Sequence, residues 1–287
     1  MWDPIKDLLM SLMESALGGF DEVVTNAADV LMLNGVAFDA IWTNVANKAN
    51  TILTPFCNVI IVLCLMVEIA QVSMKVDVLK YEHGIKLGIK ACLAKVFIDV
   101  SPTLLKAIYL QGQSWISSFG AIGTTLGWET LDKIEPLMDA VSGLGNILGM
   151  FLSTFIVLLA IKICGLMVMV IAYGRMFEIL VYLLVSPVPC AFMPLGHGDG
   201  GGFSRTTAKF LRSFAAVCLQ GVMMMMVLYL FDTIIGSALI TAVNAVDVTD
   251  ANAAVTNLIY TMLLGAICLV MAITRCGSWA RNIMDAM

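Results

Sequence analysis

The chain has 287 residues, 60% hydrophobic and 13% charged, with a mean hydropathy of +0.93. That charged share is about half of what soluble domains carry, and the apolar residues are gathered into long runs. A water-soluble globular domain is thereby excluded and an integral membrane protein indicated. The net charge of −5 is segregated by segment, so its distribution says more than its sum.

Residues 1–50 open with "MWDPIKDLLMSLMES" and place apolar and polar positions at helical spacing, with seven acids against Lys6 and Lys48. No basic stretch precedes an apolar run, so the start lacks the form of a cleaved signal peptide. This segment is too polar to span a bilayer and is expected to form amphipathic helices on the outer surface or against partners.

Four later runs satisfy the requirement of about 20 mostly apolar residues for a spanning helix. Residues 51–74 carry one charge, Glu68; 147–174 carry one, Lys162; 213–246 are apolar around Asp232; and 253–274 carry none. A fifth crossing is expected over 88–112, although it holds Lys90, Lys95, Asp99 and Lys106 and is interrupted by Pro102. Lys95 and Asp99 stand one helical turn apart and neutralise one another in part. Such a helix faces protein or water rather than lipid.

The sixth apolar run, 179–196, holds Pro187, Pro189 and Pro194 and leads into the glycine-rich "GHGDGGG". No lysine follows the glycines and no strand precedes them, so the pattern is a flexible turn and not a phosphate loop. Each proline removes a backbone donor and clashes with the preceding turn. Irregular backbone at membrane depth is tolerated where it is buried in protein or lines a cavity. The prolines therefore mark either a broken or re-entrant element beside a pathway or an ordinary helix end.

Orientation follows from the basic residues, which concentrate in cytoplasmic loops. Residues 75–95 hold five lysines; Arg175, Arg205, Lys209 and Arg212 follow the third apolar run; Arg275 and Arg281 lie in the last segment. Acids dominate 1–50, 113–146 and the turn at 247–250. All of this agrees with five crossings, an external N-terminus and a cytoplasmic C-terminus, provided 179–196 does not cross on its own. The expected architecture is an all-α polytopic bundle with amphipathic N-terminal helices. Residues 1–50 form its external segment and 51–275 its membrane domain, with an external portion at 113–146 and a cytoplasmic basic turn at 196–212. A cytoplasmic tail follows at 276–287.

Charges inside spanning helices are costly and face a bundle interior, a cavity or a partner. Lys162, at the middle of its run, is the sharpest candidate for a pathway residue, with Glu68 or Asp232 as its partner. Arg175 and Glu178, three apart, are expected to form a boundary ion pair. The competing reading of these flanking charges is snorkelling to headgroups. Gly145 and Gly149 have the GxxxG spacing that permits close helix approach, as do Gly123 and Gly127. The eight scattered cysteines include no CxxC pair, and the two histidines are far apart in sequence, which argues against a metal or disulfide framework. Met223 to Met226 point in four directions on a helix and cannot converge on one ion. No catalytic motif is present, so neither enzymatic activity nor a cofactor is expected.

The stretch 147–231 resembles a known family. A long apolar helix leads to Arg175 and Glu178, then to "LVYLLVSPVPCAFMPLG", a basic turn and "KFLRSFAAVCLQGVMMMM". This pattern is similar to TrbL-type polytopic inner-membrane subunits of conjugative type IV secretion systems, in the variety found on Gram-positive integrative elements. The resemblance implies a homo-oligomeric scaffold in the cell membrane, with a pentamer as the arrangement to test. It also implies cytoplasmic ATPases as partners and passage of relaxase-bound single-stranded DNA. Arg205, Lys209 and Arg212 fit a channel handling DNA, and positive-inside topology explains the same residues. A secondary transporter or small-solute channel suits broken helices and intramembrane charges too, as does a purely structural membrane subunit.

Overall fold

The computed structural model describes residues 3–32, 35–75, 81–120, 144–192, 205–244 and 251–286. Seven helices are present among them and no strand: α1 (Asp3–Met32), α2 (Gly35–Lys75), α3 (Tyr81–Gly120), α4 (Leu144–Val185), α5 (Pro187–Ala191), α6 (Arg205–Asn244) and α7 (Ala251–Ala286). Four stretches are long and apolar enough to cross a bilayer: Thr51–Ala70, Leu148–Ala191, Thr206–Ala238 and Val255–Asp285. The expected crossing at 88–112 lies within α3 but is not among the four, because its four charges dilute its apolar content. Residues 113–146, expected to lie outside the membrane, fall largely outside the described residues, as does most of the basic turn.

Outward faces are apolar, the reverse of a soluble protein. On α2, Ile52, Phe56, Val59, Leu63 and Met66 are exposed, while Cys57, Ile61, Cys64 and Glu68 form the buried stripe. The spacing of that stripe, four, three and four residues, is that of one helix face. On α4 the buried stripe runs through Met150, Thr154, Val157, Ile161, Val168, Ala172, Arg175 and Ile179.

The chain divides into two compact units. The first comprises 1–32, 115–174 and 221–277. Its core joins Leu9, Met13, Val24 and Leu31 of α1 to the buried stripe of α4 and to Met224, Leu228, Leu258 and Met262 of α6 and α7. Residues 3–32 were expected on the outer surface or against partners. Their apolar stripe packs into the core of the first unit. The contact is close because of glycine: a Cβ placed on Gly165 would sit 2.3 Å from Val23 Cγ2. A Cβ on Gly145 or Gly149, the pair with the GxxxG spacing, would meet nothing within 4 Å among the described residues, and Gly123 and Gly127 lie outside them.

This contrast gives a direct test. Gly165→Ala overpacks the α1–α4 contact, which costs about 1–3 kcal/mol, partly offset by a helix-propensity gain of up to about 1 kcal/mol. Gly149→Ala takes the gain without the clash. Thermal unfolding of purified variants in one detergent should therefore show a lower midpoint for Gly165→Ala and none for Gly149→Ala; equal midpoints contradict the close approach.

The second unit comprises 33–114, 175–220 and 278–287. The expected boundary between residues 50 and 51 falls inside α2, which is one 41-residue helix. No turn chemistry interrupts it there, and polar residues on an exposed helical face need no break. One core gathers Trp42, Tyr109, Ile179, Phe214 and Val217. Another joins Cys57 and Ile61 to Ala94, Ile98, Cys190 and Ala191, with α5 packed on α2. Trp42 stacks on Tyr109 at 5.8 Å. All eight cysteines are free thiols.

At Pro102 of α3 and at Pro187, which opens α5, neighbouring groups take the place of the missing donor. Pro102 cannot donate to the carbonyl of Ile98, four residues earlier; the Ser101 hydroxyl donates to it instead, at 3.0 Å. Because that proton is committed, the buried Ser186 hydroxyl is the donor to Ser101 Oγ at 3.2 Å. Pro187 likewise leaves the Leu183 carbonyl without a donor, and the Ser186 N–H bonds it at 3.3 Å.

Candidate functional site

Within the first unit, α4 carries Lys162 beside the buried stripe. Lys162 Nζ donates to Glu22 Oε2 of α1 at 2.6 Å, with the two side chains 51% and 59% exposed. In water such a pair contributes about 0–1 kcal/mol. In apolar surroundings each unpaired charge costs about 2.5–3.5 kcal/mol, a cost that the pairing offsets. The expected partners were Glu68 and Asp232. Glu68 is 5% exposed and pairs with Lys90 of α3 at 2.7 Å. Asp232 falls on α6, with its side chain outside the described residues.

Within the second unit the stripe of α4 continues into Arg175, which is only 3% exposed. Its Nε donates to the Val217 carbonyl at 3.2 Å and its Nη2 to the Cys218 carbonyl at 3.3 Å. Both acceptors belong to α6 and have a second lone pair free beyond the helical bond. Nη1 is buried without a hydrogen-bond partner. Arg175 and Glu178, expected to pair with each other, take different partners: Glu178 Oε1 lies 3.6 Å from Arg281 Nη2 of α7. The reason is facial. Arg175 falls on the buried stripe and turns into the α4–α6 seam, whereas Glu178 sits off it.

Around Arg175 the environment is aromatic and polar. Tyr109, in the same core as Val217 and Cys218, accepts a hydrogen bond from Gln113. Lys95 and Asp99 pair at 2.9 Å, as their spacing dictates, and Lys106 reaches Asp39 of α2 at 3.0 Å.

The proline break lies in the same unit. Helix α4 runs to Val185, Ser186 keeps right-handed helical angles (φ −51°, ψ −34°), and α5 starts at Pro187. The run from 179 thus prolongs α4 as far as Ser186 and then forms a five-residue helix; Pro194 lies outside the described residues. Pro187 and Pro189 are buried, and the Pro189 carbonyl accepts from Thr207 Oγ1 of α6 at 2.8 Å. The hydroxyls of Ser101, Ser186 and Thr207 hold the broken segment against α3 and α6. Of the basic turn, Lys209 and Arg212 are exposed on α6, and Arg205 starts that helix with its side chain outside the described residues.

These groups pair charges and capture carbonyls, which holds helices in register. Among the described residues, no three His, Cys, Asp or Glu side chains converge as a metal site requires. Sequence reasoning missed Glu22, Gly165 and the three hydroxyls. A signal existed for two of them: Ser101 and Ser186 each directly precede a proline.

A profile of the family described as TrbL/VirB6 plasmid conjugal transfer like protein matches residues 21–187, more than half of the chain. Comparison with curated proteins and with solved structures gave no match.

Proposed function

The chain belongs to the TrbL/VirB6 plasmid conjugal transfer like family, and on that premise we propose that it is a channel and scaffold subunit of a conjugative type IV secretion system. In this reading it helps pass relaxase-bound single-stranded DNA across the cell membrane. It works as a homo-oligomer alongside other secretion subunits and the cytoplasmic ATPases that energise transfer. The observation that carries the reading is the family match, whose range takes in Glu22, Glu68, Lys162, Arg175 and Pro187. Apolar outward faces and internally paired charges support a membrane-embedded subunit with no need of catalysis of its own.

Deletion of the gene from a donor strain is the test. Transfer should fall to background and return when the wild-type gene is supplied in trans. Undiminished transfer by the deletion strain overturns the reading.

The orientation has a separate test. With the N-terminus outside, a reporter enzyme active only outside the cell should be silent when fused after residue 200 and active after residue 250. The opposite pattern reverses the orientation.

A further inference from the structure

In the second unit, Tyr182 of α4, Arg212, Ser213 and Ala216 of α6, and Arg281, Met284 and Asp285 of α7 line a pocket of about 240 Å³. The spacings within α6 and α7, three or four residues apart, put those side chains on one face of each helix. Two guanidinium groups therefore address one small cavity whose lining, among the described residues, holds a single carboxylate.

Neither guanidinium is hydrogen-bonded to a carboxylate among the described residues. Arg212 is exposed and has no carboxylate partner among the described residues. Arg281 is 67% exposed, and its 3.6 Å approach to Glu178 exceeds hydrogen-bond length. Two guanidinium groups against the one carboxylate of Asp285 leave the lining net positive, and the planar fork of arginine matches the oxygens of a phosphate. We infer that this pocket binds one phosphate group, carried by the headgroup of an anionic phospholipid.

The volume suits one small group, since sites for drug-sized molecules occupy about 300–1,000 Å³. Proteins that hold single-stranded nucleic acid also offer aromatic faces for base stacking. Among the described residues the only ring lining this pocket is Tyr182, which packs against Phe210 at 5.5 Å and Phe214 at 6.0 Å. Ala216 and Met284 supply an apolar wall. On the opposite side of the last turns of α7, Trp279 and Ile283 are exposed, and tryptophan is the residue that anchors at headgroup level. Basic pockets between the ends of spanning helices recognise lipid phosphates by this chemistry.

The inference stands on the geometry of the second unit and is independent of the secretion reading, because binding is read on the purified full-length protein. Native mass spectrometry in detergent would count lipids retained during titration with phosphatidylglycerol or with phosphatidylcholine. The wild type should retain phosphatidylglycerol in preference. The Arg212→Gln/Arg281→Gln variant should lose that retention about tenfold, the scale of one lost charge-assisted hydrogen bond, while Lys48→Gln should not change it. Glu178→Gln, which frees Arg281, should raise retention about twofold to fivefold, a gain that a misfolded variant cannot produce. Equal retention of the two lipids, or an unchanged double variant, overturns the site. Equal protection from unfolding by inorganic phosphate alone overturns the lipid assignment, and preferential retention of a single-stranded oligonucleotide overturns both.

Discussion

Lys162→Glu is expected to abolish DNA transfer, and Glu22→Lys in the same chain to restore it. The single substitution sets two carboxylates where Lys162 Nζ now meets Glu22 Oε2 at 2.6 Å. Each charge left unpaired in an apolar span costs about 3 kcal/mol, which lowers the ratio of correctly packed to unpacked chains by about 100-fold or more. In the double variant the shorter acid and the longer base change places, so the combined reach across the α1–α4 contact is kept. Mating frequency together with immunoblotting of the membrane fraction reads the result. Wild-type transfer by Lys162→Glu removes any role for the pair. Failure of the swapped chain at normal protein level assigns the effect to the position of the cation and not to the pairing.

Arg175 should respond to charge in the opposite way. Arg175→Glu would bury a carboxylate against the carbonyl oxygens of Val217 and Cys218, three acceptors with no donor among them. Burial of an unsatisfied charge belongs to the substitutions that cost more than about 4 kcal/mol, so no folded protein should be recovered from membranes. Arg175→Met fills a similar volume and removes a buried charge that no carboxylate accepts at hydrogen-bond distance. Replacing buried ions with apolar residues of similar size is commonly neutral or stabilising, so its thermal midpoint should match or exceed the wild type. If Arg175→Met melts several degrees lower, the two carbonyl bonds matter more to stability than desolvation of the guanidinium. A stable Arg175→Met protein that no longer supports transfer would place the cation in the transfer function itself.

The helices were readable because hydropathy and period are properties of a segment. Every apolar run expected to cross lies on a helix, and α4 shows how far such reading reaches. The three- and four-residue spacing from Met150 to Ile179 places Arg175 on the buried face and leaves Lys162 beside it. Local chemistry is equally legible: Lys95 pairs with Asp99 because one turn separates them, and the serines before Pro102 and Pro187 repair what those prolines remove. Partner choice was not readable. Lys162 meets Glu22 across 140 positions, Glu68 meets Lys90, and Arg175 meets main-chain carbonyls that have no sequence signature.

The same limit explains the N-terminal segment. Its amphipathic pattern determined that one face of α1 must be covered, but lipid headgroups, a partner and the chain's own core all satisfy an apolar stripe equally. Which surface covers that face is a matter of tertiary structure, through a steric fact that periodicity does not carry: Gly165 leaves room for Val23, whereas Gly145 and Gly149 meet no described residue. A sequence by itself determines which surfaces must leave water, because that depends on each residue's own transfer free energy. Which surfaces then meet depends on shape and distance between residues far apart in the chain, and that the fold alone supplies.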